Sequence, residues 1–153
     1  MKEKHVMDIM IPLKDYAVVS QDATIEEALK ITEESYKRLS PEKYKHQGIL
    51  VKDEEGNIVG KLTQADILRG LVQDYKISDF LGRCKALKDK EVQEFMTTSA
   101  LSVDVNEELV HAIHILQTSG HRGLLVTGEG KKPIGMLRLT DIYQLVKETI
   151  IED

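Results

Sequence analysis

Thr63-Gln64-Ala65-Asp66 has the clearest chemical potential in this chain. It follows Gly60-Lys61-Leu62, which reads as a strand end, and it opens a helix. A Thr hydroxyl and a carboxylate three residues apart at a helix start form a capping box, in which each side chain satisfies the other's backbone amide. The same two groups suit a sugar. A carboxylate accepts two hydrogen bonds from a vicinal diol, and a helix N-terminus offers amides to phosphate. Taken singly, the box is the simpler reading. However, Gly, strand and Asp return 75 residues later as Gly135-Met136-Leu137-Arg138-Leu139-Thr140-Asp141, which shifts the balance towards a ligand site.

The wider segment 46–67 recurs as 121–142 without a gap. The pairs His46/His121, Gly48/Gly123, Leu50/Leu125, Val51/Val126, Gly60/Gly135, Leu62/Leu137, Asp66/Asp141 and Ile67/Ile142 are identical. Unrelated stretches of this length would share roughly one or two, so an internal repeat is indicated. Whatever one half binds, the other half once bound as well.

Each half carries the same order of elements, β-α-β-β-α. In the first, Ala17–Ser20 is a β-prone run and Gln21-Asp22-Ala23 a turn. Thr24 with Glu27 caps a helix whose apolar face is Ile25, Ala28, Leu29 and Ile31. Gly48–Val51 and Ile58–Leu62 form a hairpin around Asp53–Asn57, and the helix from Thr63 follows. In the second half the corresponding pieces are the strand Leu101–Val105, a cap at Asn106, and a stripe of Val110, Ile113 and Leu116. The hairpin Gly123–Thr127/Pro133–Leu137 and the helix Thr140–Ile151 complete it. Residues 1–76 are expected to form the first repeat with its lead-in, 77–91 a polar connector with one helical turn near Ser78–Leu81, and 92–153 the second repeat. Neither half buries much surface alone, so the halves are expected to pack on each other. The first half has nine additional residues around Tyr36–Tyr44, read as a surface loop or helix extension.

The ordered series of motifs resembles a tandem pair of cystathionine-β-synthase (CBS) domains. It is carried by Val6-Met7-Asp8-Ile9-Met10 with its counterpart Val92-Gln93-Glu94-Phe95-Met96-Thr97, by Val19–Leu29, by His121–Val126, and by Gly60-x-x-Thr63-x-x-Asp66-Ile67-Leu68. Together these cover about residues 6–72 and 92–146. The resemblance implies an α+β fold of two β-α-β-β-α repeats packed as a pseudo-twofold pair, a Bateman-type module. It also implies an adenosine-containing ligand, with Asp66 on the ribose hydroxyls and Thr63 on ribose or phosphate. Asp141 matches in the second half, but Arg138 stands where Thr or Ser is expected, and Thr140 is out of register. Two readings stay open there: Arg138 reaches a phosphate, or it blocks the site. The resemblance places His121 and Arg122 on phosphate, where an Arg fork donates parallel hydrogen bonds. His46 is the weaker equivalent, because Gln47 follows it. Ala17, Val18, Ala100 and Leu101 are the implied adenine slot.

Composition narrows the classes. Hydrophobic residues make up 41% of the 153, with aromatics at 5% and no Trp, so the core is aliphatic. A net charge of −5 argues against nucleic acid as a partner. The one cysteine, Cys84, is read as an ordinary linker residue rather than a reactive thiol. No apolar run reaches the ~18 residues of a membrane span, and Met1-Lys2-Glu3-Lys4-His5 lacks the apolar stretch of a signal peptide. The expected location is therefore cytoplasmic. His111 and His114, three apart on a helix, have no third metal ligand nearby, and Lys131-Lys132 reads as a solvated turn. No catalytic set, metal site or catalytic cofactor is expected. The expectation is a stand-alone regulatory, energy-sensing module that binds AMP, ADP, ATP or S-adenosylmethionine, forms a homodimer and signals to a regulated protein not identifiable from sequence. The alternative is an unliganded dimerisation or docking scaffold of the same fold.

Overall fold

The computed structural model describes residues 4–37, 48–73, 79–98 and 101–152. By compactness the chain divides into two units, one of residues 17–100 and one of residues 1–16 with 101–153. This division does not follow the contiguous order expected from the sequence. The opening lead-in belongs with the second repeat's strands, and the lead-in at Val92–Met96 belongs with the first repeat's.

In the unit of residues 17–100, β2 (Val18–Ser20), β3 (Ile49–Lys52) and β4 (Ile58–Leu62) form a sheet in the order β2-β3-β4. β2 runs parallel to β3, and β3 pairs antiparallel with β4, Leu50 opposite Lys61. The crossover from β2 to β3 contains α1 (Ile25–Tyr36), where Thr24 and Glu27 make the expected reciprocal box. The expected apolar face of α1 is only half right. Ile25 and Ala28 are buried, but Leu29 and Ile31 are exposed, and the inner face continues through Thr32 and Ser35. Thr32 can lie inward because its hydroxyl donates to the Ala28 carbonyl at 2.9 Å, which satisfies it within the helix. α2 (Gln64–Leu71) follows β4 directly. The connector holds more helix than one turn: α3 runs Phe80–Lys88, with Asp79 accepting from the Gly82 amide at 3.1 Å. Its Leu87 joins a core of Val19, Ile25, Ile49, Val51, Leu62, Val92 and Phe95.

The other unit has the sheet order β1-β7-β6-β5, built from β1 (Ile11–Pro12), β5 (Ser102–Asp104), β6 (Gly123–Thr127) and β7 (Pro133–Arg138). Here β5 is parallel to β6, and β6 antiparallel to β7, which repeats the arrangement of the first sheet. β1 adds an antiparallel edge, Ile11 opposite Met136. α4 (Leu109–Ser119) begins later than expected. Asn106 does not cap it; the Asn106 amide is taken up in a turn by the Asp104 carboxylate at 2.8 Å, and Glu108 holds the cap position. The buried face is accordingly Leu109, Ala112 and Leu116, and Val110 is exposed. α5 (Leu139–Glu152) closes the repeat.

The repeated glycines have a packing role in both units. A Cβ on Gly60 would lie 2.7 Å from the Met96 sulfur and 2.9 Å from the Thr97 carbonyl oxygen. On Gly135 it would lie 2.6 Å from the Ile11 carbonyl oxygen and 3.0 Å from the Met10 sulfur. Each glycine thus admits the backbone and Met of a lead-in against the returning hairpin strand, the close approach for which glycine is suited.

Candidate functional site

At the start of α2, Asp66 is the only acidic residue of the first turn, and its side chain is 4% exposed. Its Oδ2 accepts from the Thr63 amide at 2.9 Å, and the Thr63 hydroxyl accepts from the Asp66 amide at 3.2 Å, so the capping box is formed. Two further donors reach the carboxylate. Arg69 Nη2 donates to Oδ1 at 2.7 Å, and the Thr97 hydroxyl lies 3.2 Å from Oδ1 and 3.4 Å from Oδ2. Both donors come from exposed residues, and the Arg69 side chain is 55% exposed. Thr97 is held there by a two-way backbone bridge to Lys61, at 2.8 and 2.9 Å.

Burial pushes the Asp66 carboxyl upward, but the Thr63 amide, Arg69 and the Thr63 hydroxyl outweigh it, and the group titrates below its ordinary 3.8. Lys61 stands close by on β4. Burial lowers its ammonium from the ordinary 10.5, partly offset by the charge of Asp66. The start of α2 is therefore a buried carboxylate surrounded by donors, two of them on side chains that water reaches. Sequence reasoning singled out Thr63 and Asp66 and passed over Lys61, Arg69 and Thr97, which the structure sets beside them. Arg69 had a signal, an opposite charge three residues along a helix. Thr97 had none, since it arrives from a distant lead-in.

The start of α5 is built otherwise. Arg138 Nε donates to Asp141 Oδ2 at 2.8 Å, and Nη2 donates to Oδ1 at 3.0 Å. The pair is enclosed, with side chains 6% and 14% exposed. Among the described residues, Arg138 Nη1 is a buried side-chain nitrogen with no hydrogen-bond partner. The positions matching Lys61 and Arg69 hold Met136, which is buried, and Gln144, whose amide donates instead to Glu148 at 2.9 Å. The lead-in position matching Thr97 is Ile11.

The remaining expected residues fall in both units. Arg122 is exposed, and its carbonyl accepts from the Leu139 amide at 2.9 Å, which puts it beside the start of α5. His121 is half-buried, its amide donating to the Ser119 hydroxyl at 3.2 Å. Ala17 is buried in the core of its unit, and Val18 lies on β2 opposite Leu50. Leu101 is exposed. His46 and Ala100 lie outside the described residues. A groove of about 610 Å³ lies in the first unit, lined by Leu29, Ile49, Leu62, Thr63, Cys84 and Lys85 among others. Asp66 does not line it. His111 Nδ1 lies 3.0 Å from a carboxylate oxygen of Glu107, one turn earlier. Among the described residues, no group of three His, Cys, Asp or Glu side chains converges, and no helix is long and apolar enough to cross a membrane.

The CBS domain model matches residues 6–73 and 92–148, and the chain belongs to that family. The chain is similar to an uncharacterised Methanocaldococcus jannaschii protein, MJ1404, at 27% identity over 90 residues, 59% of this chain. That match spans 20% of MJ1404, so the chain corresponds to about a fifth of that relative's length. Among solved structures it resembles CBSX2 from Arabidopsis thaliana at 22% identity, covering 99% of both chains with a TM-score of 0.71. It also resembles CBSX2 in complex with AMP, at 23% identity, 95% and 97% coverage and a TM-score of 0.67. The CBS domain pair of MJ0100, in complex with 5′-methylthioadenosine and S-adenosyl-L-methionine, matches at 21% identity, 97% and 99% coverage and a TM-score of 0.70. At these identities the likeness establishes the fold: an α+β chain of paired CBS repeats.

Proposed function

We propose that this chain is a regulatory module, not an enzyme, that binds an adenosine-containing ligand and passes its bound state to a partner protein. The observation that carries the reading is the setting of Asp66. Its oxygens are met by donors from Arg69 and Thr97, exposed groups that the hydroxyls of a vicinal diol can replace while the Thr63 box stays in place. The ligands of the structural neighbours share a ribose: AMP in one, methylthioadenosine and S-adenosylmethionine in another. Within the unit that holds Asp66, Val18 on the neighbouring sheet is the adenine-contact candidate. A ligand can shift the module only by its differential affinity for two states. Self-association is supported by α5, which leaves Tyr143, Val146 and Ile150 exposed at spacings of three and four. The module is proposed to work in the cytoplasm.

Calorimetry with AMP, ATP and S-adenosylmethionine tests the reading. Wild-type protein is expected to bind at least one, and Asp66→Ala to remain folded and lose it. Wild-type affinity in that variant would take Asp66 out of the site. In a thermal-shift screen, a ligand at about 100 times its Kd should add ~2.7 kcal/mol of stability. No shift with any adenosine compound would support the second reading, an unliganded scaffold, which the closed Arg138–Asp141 pair favours.

A further inference from the structure

We propose that this chain takes one ribose-bearing ligand rather than two, because Arg138 permanently fills the second repeat's carboxylate while Arg69 fills the first only until a diol arrives. The inference rests on the adenosine-binding reading and adds its stoichiometry. Sequence alone makes both helix starts candidates, since Asp66 and Asp141 occupy equivalent places in the repeat.

The two arginines hold their carboxylates in different ways. Arg69 reaches back one helical turn with a single nitrogen, 2.7 Å from Asp66 Oδ1, and more than half of its side chain lies in water. The half-exposed guanidinium can turn to solvent, giving up the bonds it donates to Asp66 Oδ1 and, at 3.4 Å, to the Phe95 carbonyl, while the buried carboxylate keeps the Thr63 amide. Thr97, the other donor, is exposed as well, and its hydroxyl can rotate to a new acceptor. Removing both frees Oδ1 of its side-chain donors, with the Thr63 amide still bonded to Oδ2.

Arg138 uses two nitrogens, one on each oxygen of Asp141, and is 6% exposed. Displacing it would strand a buried cation, which is strongly disfavoured. Its third nitrogen is already buried without an acceptor, so the side chain holds this position even with a donor unmet. A diol approaching the start of α5 therefore meets donors where the first start presents acceptors. Gln144 and Ile11, standing where Arg69 and Thr97 stand in the first repeat, supply no exchangeable donor to Asp141.

Titration calorimetry on the full chain with AMP decides this. The expected result is one AMP per chain in the wild type, and none in Asp66→Asn. Arg138→Thr writes Thr-x-x-Asp into the second repeat and is expected to raise the count to two. Arg69→Gln removes the competitor and is expected to tighten binding by up to about fivefold. Two AMP per wild-type chain would overturn the inference and leave the adenosine reading standing, as would a folded Arg138→Thr that still binds one. If Arg138→Thr does not fold, the wild-type count together with the Asp66→Asn result settles the matter. Failure of AMP, ATP and S-adenosylmethionine alike to bind the wild type would remove the adenosine reading, and this inference with it.

Discussion

The starts of α2 and α5 share an ancestry and differ in what surrounds their carboxylates. Asp66 has a capping threonine, an exposed arginine and a threonine from a distant lead-in. Asp141 has one buried arginine, bonded twice. The difference turns on residue 138: with Arg in place of Thr, the reciprocal box becomes an ion pair. An aspartate retained in the repeat is therefore not evidence of a retained site. What matters is whether its partners can leave.

The contrast can be broken most severely at the buried pair. Arg138→Met leaves Asp141 enclosed without its cation and is expected to cost about 3–5 kcal/mol in urea unfolding. Arg69→Met, the matching change in the first repeat, should cost less, about 1–3 kcal/mol, because the Thr63 amide and the Thr97 hydroxyl still bond the buried Asp66 carboxylate. Equal losses would show that the two arginines are held alike. The glycines give a second comparison. Gly135→Ala meets the backbone oxygen of Ile11, and a loss of about 1–3 kcal/mol is expected. Gly60→Ala meets the flexible Met96 sulfur at 2.7 Å and a backbone oxygen, that of Thr97, only at 2.9 Å, and should lose less, as differential scanning calorimetry can measure. Thr63→Ala removes a cap that the second repeat does without, at about 0.5–2 kcal/mol.

The smallest effect is in pH. Asp66 titrates below 3.8 when folded, so its contribution to stability is complete above that value and is lost as pH falls through the folded pKa. Acid denaturation followed by circular dichroism should therefore show a shallower loss below pH 3.8 in Asp66→Asn than in the wild type. An unchanged acid limb would mean that Asp66 contributes nothing there.

Much of this frame was legible in the residues. Both hairpins, the Thr24–Glu27 box and the Thr63–Asp66 box are local, and their bounds fall within a residue or so of expectation. The misses have physical causes. Thr32 and Ser35 are polar by type and buried by position, so a hydrophobic stripe passes over them. Asp104 competes with the following chain for the Asn106 amide and moves the start of α4. Of the candidate site, Asp66 and Thr63 are brought together, but the donors that occupy Asp66 include Thr97, 31 residues away. No local pattern announces that contact, nor the crossed membership of the two lead-ins.

That crossing has a consequence for how the chain assembles. Ile11 and Pro12 find their strand partners at Met136 and Gly135, far along the sequence. During synthesis Ile11 and Pro12 emerge long before Gly135 and Met136 and wait without those partners, while the unit of residues 17–100 can close around its own contiguous stretch. Such long-range closure slows folding. Translation should thus pass through an intermediate in which the unit of residues 17–100 is formed and the Ile11–Pro12 strand still waits for its partner, a species in need of a chaperone.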